Sequence, residues 1–109
     1  MIETEQVQKA IDYLRETSRK EAESVAHRMY MEEYRKVVKA QIMGLHKSLP
    51  VSAQEREAYE DDRYDQHLKA LQLAIEKERE FAFRRKAAEA VIEAWRTECA
   101  NDRGQAKIG

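Results

Sequence analysis

Three kinds of side chain in this sequence could do chemistry: imidazoles, a run of carboxylates, and two knots of cations beside aromatic rings. The imidazoles are His27, His46 and His67. A di-metal site inside a helical bundle uses Glu-x-x-His pairs, and a helical zinc protease site uses His-Glu-x-x-His; neither spacing occurs. Glu23 with His27, and Arg63 with His67, are four apart and can share a helix face. These read as ordinary surface or seam histidines, and no metal ligand set is assigned. Cys99 is the only cysteine, which removes an intrachain disulfide and any zinc site built on cysteines.

The carboxylates Glu55, Glu57, Glu60, Asp61, Asp62 and Asp65 invite comparison with a cation site or an acid–base pair. Paired carboxylates do acid–base work only where burial and mutual repulsion split their pKa values. Here they lie on a solvated connector, where helix capping accounts for several of them. No Gly-rich phosphate loop, nucleophile elbow or Cys-His arrangement is present, so the expectation is a protein that is not an enzyme and takes no cofactor.

The cations cluster as Arg35, Lys36 and Lys39, and again as Arg84, Arg85 and Lys86, the second group beside Phe81 and Phe83. Cations track phosphates and aromatics stack bases, so these six are candidate nucleic-acid contacts. The competing reading is a solvated helix face laced with carboxylates one turn away, such as Glu80 with Arg84 and Glu89 with Arg85. Tyr30, Tyr34, Tyr59 and Tyr64 are best used to pack a connector onto the end of a hairpin, with a base-stacking platform as the lesser reading. Trp95 reads as a seam or subunit-interface anchor.

Positioning these groups falls to helices. The chain has 109 residues, 38% of them charged, with 3 Gly and 1 Pro, too little punctuation for a strand-rich fold. Twenty basic residues stand against 21 acidic ones, a balance that offers nucleic acid no overall basic excess. No apolar run is long enough to span a membrane, and no leader-like segment opens the chain; the cytoplasm is the expected compartment. Between Glu5 and Met43 there is no breaker, and Val7, Ile11, Leu14, Val25, Met29 and Val38 recur at helical spacing. This predicts one helix over about 5–45, capped by Thr4, with a break at Thr17-Ser18 as the alternative. Gly44, in a left-handed C-cap, and Pro50 would stop it. Ser52 and Glu55 form a capping-box pattern for a short helix over about 53–60. Asp62 would cap a third helix over about 63–100, with Asn101-Asp102-Arg103-Gly104 ending it and a frayed tail beyond.

The predicted fold is therefore all-α: two long antiparallel helices forming a coiled-coil-like hairpin, joined by a short capped helix, in one domain. The acidic connector, net -4 over residues 51–66, sits between two nearly balanced arms. One thin hairpin buries little apolar surface per residue, which points to a homo-oligomer, a dimer or higher. Glu78 and Arg85 interrupt the expected seam; they are either intramolecular partners or, with Trp95, marks of a self-association surface.

The order of pieces also resembles a known family. The stretch Arg28-Met-Tyr-Met-Glu-Glu-Tyr-Arg-Lys36, the short acidic connector with its tyrosines, Leu71 through Glu-Lys-Glu-Arg-Glu, and Ala90-Val-Ile-Glu-Ala-Trp-Arg96 are similar to small helical proteins of tailed phages and prophages. Asn101-Asp102-Arg103 matches the way many of them end, and the resemblance covers nearly the whole chain. It implies a setting among early phage genes for DNA recombination and replication, and it carries over no catalytic residue. The chain departs from the pattern at Arg79-Glu-Phe81, where members often hold a basic–aromatic pair. The expectation that follows is a self-associating accessory or adaptor in phage DNA metabolism with a possible protein partner. Its rivals are a direct nucleic-acid binder and a phage-encoded inhibitor of a host protein.

Overall fold

The computed structural model describes residues 1–108, with side chains described through residue 106, and these residues form three helices. They are α1 (Thr4–Gly44), α2 (Val51–Glu60) and α3 (Asp62–Ile108). Among the described residues there is no strand, and no helix is long and apolar enough to cross a membrane. The all-α class, with two long helices and a short one between them, holds.

The chain divides into two compact units. The first joins Met1–Glu21 to the segment from Glu80 onward, and the second is Ala22–Arg79. In the first unit the paired segments run antiparallel: the Ile2 amide donates to the Glu98 carboxylate at 2.9 Å, and Arg85 Nε donates to Glu21 at 2.8 Å. Val7, Ala10 and Ala88 are its buried apolar residues. Two of the three are alanines, so the helices can approach closely but remove little apolar area from water. Thr17 and Ser18 cause no break. Their hydroxyls donate to the carbonyls of Tyr13 and Arg15, 2.6 and 3.4 Å away, and so stay inside an unbroken helix.

The second unit holds the better core. Val38 and Ile42 of α1 and Ala58 of α2 form a buried cluster with Tyr34, Met43 and Tyr64 packed against it. Ile42 is 1% exposed and Ala58 is 0% exposed. Leu71 and Ala74 of α3 are also buried, as is Ser24 of α1. Antiparallel pairing is read from Arg28 against Glu78 and from the Met31 carbonyl against His67.

Several helix ends differ from the sequence reading. Thr4 is already helical, so the cap is Glu3; its amide donates to the Gln6 side chain at 2.8 Å, the reach-back half of a capping box. Gly44 has no positive φ; α1 tightens instead through turns in which the Leu45, His46 and Leu49 amides donate to carbonyls three residues back. The Ser52–Glu55 capping box does not form, because α2 starts earlier: Pro50 is its N-cap and no side chain caps it. Proline sets the entry through its fixed φ and carbonyl, which accepts from the Gln54 amide at 2.9 Å. Asp61, not Asp62, caps α3. Asp61 is extended (φ -72°, ψ 136°) and its carboxylate accepts from the Arg63 amide at 2.8 Å. The expected stop at Asn101–Gly104 is also corrected, since α3 continues to Ile108. One helical Gly costs only about 1 kcal/mol, which the good helix formers around it can absorb.

Candidate functional site

Within the second unit, α2 turns back beside the last turns of α1 because Ala58 has no bulk to hold it off Val38 and Ile42. That return places Tyr59 of α2 and Tyr64 of the first turn of α3 next to the cations of α1. The two rings meet edge to face, with centroids 5.3 Å apart at 83°. The Lys39 ammonium sits 4.8 Å from the Tyr59 ring centroid and 3.5 Å from the Glu55 carboxylate. The Tyr59 phenol first, then the charge of Glu55, holds that ammonium protonated above its ordinary range, against the cost of desolvation. Arg35, Lys36, Lys39, Tyr59 and Tyr64 together line a cleft of about 340 Å³. The sequence had singled out these cations and these tyrosines as separate groups; their convergence is the main thing it did not show.

The second cationic group lies in the first unit and is engaged within its own helix and across to α1. Arg84 pairs with Glu80, and Arg85 with Glu21 at 2.8 Å and Glu89 at 3.4 Å. Glu21 first, through a hydrogen bond and its charge, raises the Arg85 pKa. Lys86 lies 5.9 Å from the Phe83 centroid. Beside them is a shallow, mainly apolar groove of about 380 Å³ between Ala10 and Tyr13 of α1 and Ala87, Ala88 and Val91 of α3. The Tyr13 hydroxyl is buried with no hydrogen-bond partner among the described residues. A further groove holds Trp95 with Arg96, Cys99 and Arg103. The six candidate nucleic-acid contacts thus fall into two sets, one in each unit.

Glu78 and Arg85, which interrupt the seam, are both taken up inside the chain. The Arg28 guanidinium spans Glu78 through Nε and Nη2, the latter at 3.1 Å, and reaches Glu32 at 3.0 Å. Glu78, through that hydrogen bond, raises the Arg28 pKa, and Arg28 in turn lowers that of Glu78. The spacing of four from Arg28 to Glu32 is a signal in the sequence, but the pairing with Glu78, 50 positions away, has no local signal.

The histidines remain apart. The ring of His67 lies 2.6 Å from the Met31 carbonyl and 5.7 Å from Tyr34, which stacks on Tyr30 at 5.6 Å. His27 is exposed and His46 half-buried. Among the described residues no three His, Cys, Asp or Glu side chains converge in a way that could hold a metal ion. In the acidic connector, the Arg63 guanidinium and amide hold the Asp61 carboxyl at about 2, so this acid serves the helix junction. No protein family, curated protein or solved structure matches the chain.

Proposed function

We propose that this protein is a non-enzymatic helical accessory that self-associates and acts as an adaptor, in the cytoplasmic DNA metabolism of a phage or prophage. The observation that supports self-association is how little the chain buries. Ile42 is the only large side chain that is essentially fully buried among the described residues. Large apolar groups meanwhile face water on all three helices: Tyr30 at 61%, Val51 at 65%, Leu73 at 65% and Phe83 at 58% exposed. Small helical chains with cores this thin commonly gain stability from subunit contacts. The phage setting rests on the sequence resemblance alone.

Sedimentation velocity over a wide concentration range tests the reading. The expected result is a dimer or larger species, and Leu73→Glu or Phe83→Glu should shift it toward monomer without loss of helicity. A well-folded monomer at every concentration would refute self-association.

A further inference from the structure

We infer that the cleft between the end of α1, α2 and the start of α3 binds a phosphate-monoester dianion. Its five lining residues are Arg35, Lys36, Lys39, Tyr59 and Tyr64. Each of them can donate hydrogen bonds, three carry positive charge, and no carboxylate lines the cleft. Its only acceptors are the two phenol oxygens, an unusual lining in a chain whose 21 acidic residues nearly balance its 20 basic ones.

The cations are also available. Arg35 makes no ion pair among the described residues, so its planar fork is open to two oxygens of one anion. Among the described residues Lys36 pairs only with Glu33, 3.3 Å away, and both of those side chains are about three-quarters exposed. Lys39 is held by Glu55, whose side chain is 47% exposed. The solvated Lys36–Glu33 pair contributes little, so a dianion can replace Glu33 at small cost; at Lys39, whose side chain is 28% exposed, it competes with Glu55 for the ammonium. Tyr59 and Tyr64 also line the cleft, and their phenols add neutral donors.

The charge and the size select the class of ligand. Three cations around one small cleft suit a doubly charged group better than a single carboxylate. A volume of about 340 Å³ lies at the lower end of small-ligand sites. The rings are poorly placed to stack bases: the Lys39 ammonium covers Tyr59, and Tyr64 meets it edge to face. The site therefore takes the phosphate itself, carried either on a free small molecule or on the end of a nucleic-acid strand. It does not depend on self-association.

Calorimetric and amide NMR titrations of the full chain would test it with inorganic phosphate, adenosine monophosphate, and one short single strand in 5′-phosphorylated and 5′-hydroxyl forms. Saturable phosphate binding is expected, with shifts confined to residues around 35–39 and 59–64. Arg35→Gln should weaken it at least tenfold, and Lys39→Met should do so independently, with helicity unchanged in both. A tenfold or greater preference for the phosphorylated strand over its hydroxyl form, beyond the affinity for the mononucleotide, assigns the strand end as the source. Equal affinity for strand end and mononucleotide assigns a free phosphate ester. Absence of saturable phosphate binding, or wild-type affinity in Arg35→Gln, would overturn the proposal.

Discussion

Replacing Ile42 with alanine is the sharpest perturbation of this fold. Ile42 is 1% exposed and faces Ala58, which is 0% exposed and has no side chain able to swing into a void. The substitution deletes three carbons, worth about 2.4 kcal/mol in transfer free energy at about 0.8 kcal/mol each. A residual cavity adds to this, so a total of about 3–4 kcal/mol is expected, within the usual span for such truncations. At about 2.1 cal/mol/K of unfolding entropy per residue, that lowers Tm by roughly 15 °C. Urea unfolding followed by far-UV circular dichroism, repeated at several protein concentrations, measures it. Ala58→Leu alone should cost about 1–3 kcal/mol by overpacking. Combined with Ile42→Ala it should cost clearly less than the sum, because the added volume occupies the space vacated. A loss below about 1 kcal/mol for Ile42→Ala, or strict additivity in the pair, would show that α2 is not clamped by this contact.

Two further outcomes follow from helix ends. The Asp61 carboxyl is held at about 2, below its ordinary 3.8, chiefly by Arg63. A depressed acid stabilises the folded state fully above its unfolded pKa, so this contribution is complete above about pH 4 and disappears as pH falls toward 2. Asp61→Asn should therefore flatten the acid limb of a Tm-against-pH curve in that window; an unchanged limb would count against the pairing. Gly104 lies inside α3 with open space where a Cβ would stand, so Gly104→Ala should stabilise the chain by about 0.5–1 kcal/mol. Destabilisation, read by the same urea titration, would mean that the helix does not continue through this position.

Much of the architecture was legible because it depends on period and breakers. The uninterrupted stretch before Gly44, the Pro50 punctuation and the apolar spacing of Val7, Val38 and Leu71 are local signals that tertiary packing had no reason to override. The caps were less legible. Thr4 has the better capping chemistry yet is already helical, and between the adjacent Asp61 and Asp62 only the backbone angle of Asp61 decides. Apolar spacing did not mark every buried position: Met29 is exposed, whereas Ser24 is buried and Arg28 lies against Glu78. The cleft could not be read at all from spacing. It exists because the small Ala58 lets α2 fold back onto α1, a contact between residues 16 and 20 positions apart in sequence.

The pairing distances carry a kinetic consequence. Met31 meets His67 across 36 residues, whereas Ile2 meets Glu98 across 96. Closing the longer loop directly from the unfolded chain costs about 0.9 kcal/mol more, and the shorter loop also gains the chain's best-buried cluster at once. Assembly is therefore expected to start beside the connector and zip outward, with the segments near Ile2 and Glu98 joining last. Synthesis from the N-terminus gives the same order, since the partner of Ile2 emerges only after the connector and most of α3. The first 21 residues of the chain must then wait, helical or not, through most of its synthesis for the segment that pairs with them.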